Sequence, residues 1–118
     1  MMKVESAFTV HYLNAQGNKH GEYIRKHLNG NVKELYYYNN DKRQGPYNSW
    51  HINKKPYVKT YMVNDKCHGE YYYWDMYGEL KQHSIFVDGE VVYDFLKNPV
   101  SDDEKLMLAF KYGVKLLG

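Results

Sequence analysis

The chain repeats itself every 24 residues. Gly21-Glu22-Tyr23, Gly45-Pro46-Tyr47 and Gly69-Glu70-Tyr71 are one Gly-x-Tyr step at that displacement. Val32, Pro56 and Leu80 keep the register, and Asn40-Asp41-Lys42, Asn64-Asp65-Lys66 and a shortened Asp88-Gly89-Glu90 close the units. Fixed spacing of this length selects a repeat architecture, in which each unit contacts mainly its neighbours. Such arrays build extended gripping surfaces and seldom assemble a single catalytic centre.

Each unit reads as two short strands. In the first, Gly21 to Leu28 runs into Asn29-Gly30, a two-residue type I′ hairpin signal, and Val32 to Tyr38 returns. A polar connector, Asn39 to Gln44, leads to the restart at Gly45. The second unit turns through Ile52 to Lys55, with Pro56 at the mouth of its return strand, where a missing N–H is tolerated. The third turns at Asp75 to Gly78 and returns through Val87. Phe8 to Leu13 looks like half of a preceding unit, and Asp88-Gly89 makes a tight turn into a last strand, Glu90 to Phe95.

After Pro99 the period breaks. Ser101 with Glu104 three residues on is a capping box, and a helix is predicted from there to residue 113. Leu106, Ala109, Phe110 and Gly113 fall on one face of it, and that stripe is expected to bury against Phe86, Val92 and Phe95 as a terminal cap. The prediction is one domain over 1–118, with hairpin repeats over 8–95 and a helix over 101–113. Its class is mainly β: a single-layer antiparallel hairpin meander with a C-terminal capping α-helix.

These features resemble MORN-type repeats. The stretch Gly-x-Tyr-x-x-x-His-x-Asn-Gly-x-Val at Gly21 to Val32, the Tyr-rich return strand and the Asn-x-Lys-x-x-Gly restart carry the likeness, which covers about Phe8 to Tyr93. The nearest form is the variant of bacterial antitoxin-like proteins and large DNA viruses. The second unit departs from it at Lys54 and Pro56, the third at Asp75 and Tyr77. The resemblance implies a curved sheet of hairpins used to bind proteins and sometimes proposed to bind lipid. The C-terminal helix lies outside that pattern.

Composition narrows the functions. A net charge of +2 and only two arginines, Arg25 and Arg43, argue against nucleic acid as a partner and disfavour a lipid surface. No window is long and apolar enough for a membrane span. The N-terminus does not read as a signal peptide. The single cysteine, Cys67, allows no disulfide framework and predicts a reducing, cytoplasmic setting, which for a viral protein is the host cytoplasm.

No catalytic constellation emerges, and the expectation is a nonenzymatic protein without metal or cofactor. His27, His51 and Asp75 share one slot of successive units and are metal ligands by type. Equivalent strands lie two spacings apart, roughly 9.5 Å, too far for ligands that reach a metal at about 2 Å. They read instead as polar ladder residues. The same separation applies to His20 and His68. Cys67 and His68 are neighbours on an extended segment and face opposite ways. Asp102, Asp103 and Glu104 suit a helix N-terminus.

The aromatic residues remain. Fourteen tyrosines are unusual in 118 residues. Strand alternation sends Tyr23, Tyr47 and Tyr71 to one sheet face, and Trp50 and Trp74 to the other with Ile24 and Tyr72. Stacked ladders of this kind hold a sheet together, but a single layer also leaves aromatic area open for contact. The expected contact group is Tyr23, Tyr47, Trp50, Tyr71, Tyr73 and Trp74, serving a protein partner or a second copy of the chain. The alternative is a small-molecule or nucleotide site, with aromatic stacking and Lys54, Lys55 or Arg43 meeting a phosphate.

Overall fold

The computed structural model describes residues 1–117. Its strands are β1 (Met2–Glu5), β2 (Thr9–Leu13), β3 (Gly21–Lys26), β4 (Val32–Asn39), β5 (Lys42–Arg43), β6 (Gly45–Trp50), β7 (Pro56–Val63), β8 (Lys66–Cys67), β9 (Gly69–Trp74), β10 (Leu80–Val87) and β11 (Glu90–Asp94), followed by one helix, α1 (Asp102–Tyr112). They form one antiparallel sheet in the order β1-β2-β3-β4-β6-β7-β9-β10-β11, with β5 and β8 pairing back onto β4 and β7. The molecule is 44 × 34 × 20 Å, so its short dimension is a sheet and its side chains. Strand β1 was not foreseen from its sequence. It pairs with β2 from Met2 opposite Leu13 to Glu5 opposite Val10.

Backbone features recur at the 24-residue spacing. Gly21, Gly45 and Gly69 start strands at φ of 96°, 112° and 130°. The three main hairpins each slip register by one residue near their turns, between Arg25 and Lys26, between Asn48 and Trp50, and between Leu80 and Gln82. Such bulges bend a strand and raise its twist.

The type I′ turns are not where Asn29-Gly30 suggested. Asn29 keeps negative φ, and the His27–Asn31 loop closes through the Gly30 N–H to the His27 carbonyl oxygen at 2.9 Å, with Gly30 at φ 88°. That is a three-residue loop ending in a left-handed residue. Its equivalents are Lys54 at φ 72° and Gly78 at φ 88°, so the second hairpin places a lysine where the others have glycine. Two consecutive positive-φ residues, the type I′ mark, occur instead in the connectors: Asn40-Asp41, Asn64-Asp65 and Asp88-Gly89. Asn and Asp tolerate this conformation because their short polar side chains bond locally.

The turns stack into two rails flanking the sheet. Along one, His27 Nε2–H donates to the Trp50 carbonyl oxygen and His51 Nε2–H to that of Trp74, each at 2.8 Å. In the third unit Asp75 accepts instead from the N–H groups of Tyr77 and Glu79. Along the other, Asp41 Oδ1 accepts from the Lys19 N–H and Asp65 Oδ1 from the Arg43 N–H, both at 2.7 Å. His20, Gln44 and His68 accept from the N–H of Asn40, Asn64 and Asp88. The rails tie each unit to the next beyond the strand ladder.

The helix begins with the expected capping box, Ser101 Oγ accepting from the Glu104 N–H and Glu104 Oε1 from the Ser101 N–H. Its packing differs from expectation. Leu106 and Phe110 are 50% and 77% exposed, and Gly113 is the left-handed C-cap. The inward face is Lys105, Leu108, Ala109 and Tyr112, one position round from the anticipated stripe. Of the expected contacts Phe95 is buried, Val92 is 37% exposed, and Phe86 packs on Tyr71 at the opposite sheet face. The tail after the helix does more than the stripe. Its Lys115 carbonyl oxygen accepts from the Glu70 N–H at 3.3 Å, and its Lys115 ammonium lies over the Tyr61 ring. Among the described residues no helix is long and apolar enough to cross a membrane.

Candidate functional site

The six expected contact residues lie on two faces, and all are half-buried. Tyr23, Tyr47, Tyr71 and Tyr73 share one. There His11 stacks on Tyr23 at 5.0 Å, Tyr23 on Tyr36 at 5.2 Å, and Tyr36 contacts Tyr47 at 5.4 Å, a row crossing β2, β3, β4 and β6. Farther along, Tyr57 meets Tyr73 and Tyr71 meets Phe86. Tyr36, absent from the expected group, is the most deeply set of these tyrosines at 8% exposure.

The row is pinned by one carboxylate. Glu34 accepts from Arg25 Nη1 at 2.8 Å through one oxygen and from the Tyr47 hydroxyl through the other. Burial, then the Glu34 charge and hydrogen bond, push the Tyr47 hydroxyl well above the ordinary phenol range. Burial and the neighbouring Tyr38 and Glu34 do the same for Tyr36. Both hydroxyls are therefore un-ionised at physiological pH. A cleft of about 580 Å³ opens on it, bordered by Glu34, Tyr47, Ser49, Tyr57, Val58 and Tyr71.

Trp74 faces the other way, and Trp50 borders clefts on both sides of the sheet. Trp74 stacks on Tyr72 at 5.4 Å, and Trp50 edges a cleft of about 490 Å³ with Ile24, Val32, Leu35 and Lys54. Two of the cations considered for a phosphate are committed elsewhere. Arg43 is held by Asp65 at 3.2 Å, and Lys55 Nζ donates to the Tyr77 carbonyl oxygen at 3.1 Å.

One cluster escaped the reading of the sequence. Glu70, 0% exposed, accepts from the Tyr72 hydroxyl and His83 Nε2–H at 2.6 Å each, and pairs with Lys105 Nζ at 2.5 Å, all on Oε2. Its other oxygen accepts from the Leu117 N–H at 2.8 Å. Burial opposes the charge on Glu70, but the donors prevail and hold its carboxyl below the usual 4.5. Lys105 answers in the opposite sense: burial opposes its charge, and Glu70 and Tyr72 hold it above 10.5. With no exposed surface, Glu70 offers a substrate no approach. It fastens helix and tail to the sheet. The signal was there in part, since alternation puts Glu70 on the more apolar face beside Tyr72 and Trp74, where a carboxylate needs a partner.

Cys67 is half-buried, its Sγ 3.8 Å from Met62 Sδ, and burial pushes its thiol up. That suppresses thiolate reactivity. No known family model, curated protein or solved structure matches the chain.

Proposed function

We propose that the chain is a nonenzymatic repeat protein of the MORN type that binds a protein partner through its tyrosine face. One observation carries this reading. The C-terminal helix and tail lie on the face of Glu70, Tyr72 and Tyr61, while among the described residues no helix or strand lies over the face of Tyr23, Tyr47 and Tyr71. Tyr gives large, rigid contact area with a polar tip and is favoured at the centres of protein interfaces. Of the six contact residues the proposal keeps Tyr23, Tyr47, Tyr71 and Tyr73, assigns Trp74 to the opposite surface, and leaves Trp50, which borders both sides, at the margin. The resemblance to antitoxin-like repeats makes the partner an effector or toxin that the chain neutralises, and self-association is the homotypic form of the same contact.

The test compares two double variants, Tyr47→Ala with Tyr71→Ala, and Trp50→Ala with Trp74→Ala, each checked for an intact melting transition. Proteins retained by the wild type are expressed, purified and titrated against all three. Loss of two central tyrosines is expected to weaken binding by at least ~30-fold, and loss of the tryptophans by far less. Binding that survives the tyrosine changes but not the tryptophan changes would reverse the assignment.

A further inference from the structure

The tyrosine face holds a gap that the repeat itself explains. In the first hairpin Tyr36 stands between Tyr23 and Tyr47, at 5.2 Å and 5.4 Å, with planes inclined by 18° and 31°. Strand pairing makes these three one row: Tyr23 lies opposite Tyr36, and the step after Leu35 opposite Asn48 sets Tyr36 against Tyr47. Moved on by one repeat, the row becomes Tyr47, Thr60 and Tyr71. Tyr47 lies opposite Thr60, and the step after Lys59 opposite Tyr72 sets Thr60 against Tyr71. The middle ring is missing. Thr60 stays at the floor, 1% exposed, with its hydroxyl donating to the Glu70 carbonyl oxygen at 2.9 Å.

Space remains where the ring is absent. Clefts of about 580 and 220 Å³ lie along the row, and both are lined by Tyr47, Val58 and Tyr71. Two strand spacings span roughly 9.5 Å. A flat ring in contact with a neighbour on each side needs about 7 Å, at ~3.5 Å per contact. One ring fits with modest rotation of the walls toward it, and the stacking preference of aromatic rings favours it there over an aliphatic group. The charges beside the gap are mostly paired, Arg25 with Glu34 at 2.8 Å and Arg43 with Asp65 at 3.2 Å, which leaves Lys33 at the rim. Such a rim suits an uncharged ring and does little to gather the charge of a nucleotide's phosphates.

We infer that the gap between Tyr47 and Tyr71 receives one planar aromatic side chain of the protein partner, in the place that Tyr36 fills one repeat earlier. The inference rests on the protein-binding reading of this face and supplies the chemistry that the partner must offer there: an exposed Trp, Tyr or Phe. Tyr47 and Tyr71 act as the two stacking walls above Thr60, and Val58, opposite Tyr73, closes the side of the gap.

The experiment needs no partner, so its failure is separate from failure of the wider reading. The wild-type protein, with ring-labelled tyrosine, is titrated with N-acetyl-L-tryptophanamide, N-acetyl-L-leucinamide and adenosine monophosphate while the Tyr47 and Tyr71 ring resonances are followed. The tryptophan amide is expected to shift both rings saturably in the millimolar range, at least ~10-fold more tightly than the leucine amide. Thr60→Tyr, which restores the missing ring, is expected to abolish the response. Val58→Phe fills the gap from its side and serves if Thr60→Tyr does not fold. No saturable shift in the wild type, or equal binding by the filled variants, would overturn the inference. Tighter binding of the nucleotide than of the amide would also overturn it, in favour of a free nucleobase.

Discussion

The first and third hairpins begin with the same three residues, Gly-Glu-Tyr, on the same backbone, yet the glutamates have opposite fates. Glu22 is half-buried and, among the described residues, makes no side-chain hydrogen bond or ion pair. Glu70 is fully buried with four donors around it. Pairing is equivalent at the two sites, Glu22 opposite Tyr37 and Glu70 opposite Ile85. What differs is what lies above the sheet and beside the carboxylate. Tyr72 and His83 stand where the first hairpin has Ile24 and Leu35, and helix α1 brings Lys105. The repeat dictates backbone, and the non-repeating segment that docks on it dictates energetics.

The sharpest way to break this comparison is to remove both glutamates in turn. Glu70→Ala strands the Tyr72, His83, Lys105 and Leu117 donors and is expected to cost about 3–5 kcal/mol in urea unfolding. Glu22→Ala is expected to stay within about 0.5 kcal/mol. Equal costs would show that the cluster is not a latch. Acidity gives an independent readout. Glu70 is held below 4.5, so its stabilising contribution is complete above that pH and is lost as pH falls through the lower folded value. Lys105 is held above 10.5, so its share is complete below that pH and fades as pH rises further. Helix and tail should therefore detach in acid before the first hairpin melts, which amide exchange measured hairpin by hairpin would detect. Simultaneous loss would contradict that order.

The restart glycines carry the comparison at smaller amplitude. A Cβ at Gly69 would come within 3.0 Å of the Lys115 carbonyl oxygen, which belongs to backbone. At Gly21 the nearest atoms are the flexible end of Met1, at 3.7 Å. Both positions have positive φ, so either alanine incurs about 1–2 kcal/mol of backbone strain. Gly69→Ala should exceed Gly21→Ala by a further ~1 kcal/mol or more, because the tail must move off the Glu70 N–H. Calorimetric melting of the two variants checks this.

The legible part of the molecule follows from local rules. Period 24, strand alternation and the Ser101–Glu104 box specify the hairpins, the shared face of Tyr23, Tyr47 and Tyr71, and the helix start, because each depends on residues close in sequence. The turns were half legible: Asn29-Gly30 is the stronger type I′ signal, yet the bulge at each hairpin end favours a three-residue loop there and leaves type I′ geometry to Asn40-Asp41. What the sequence hid is long-range. Glu70 reaches Lys105 and Leu117 across 35 and 47 positions, and no local pattern encodes that distance. The gap over Thr60 becomes visible only when strand register aligns it with Tyr36.

The helix face yields the smallest effect and the clearest contrast within one element. Hydrophobic spacing assigned Phe110 to the core, where truncation to Ala would cost about 3–5 kcal/mol. Its ring is 77% exposed, while Ala109 beside it is 7% exposed. The rotation has a cause: the Glu70 carboxylate attracts Lys105, and positions 108, 109 and 112 share Lys105's face at i+3, i+4 and i+7. An ion pair at the sheet surface thus outweighs an apolar stripe in setting the helix's orientation. Phe110→Ser is expected to change stability by less than about 0.5 kcal/mol, whereas Ala109→Leu should cost about 1–3 kcal/mol by overpacking the interface. The two variants differ by one position in sequence, so a large loss at Phe110 in equilibrium unfolding would mean that the helix docks by the other face.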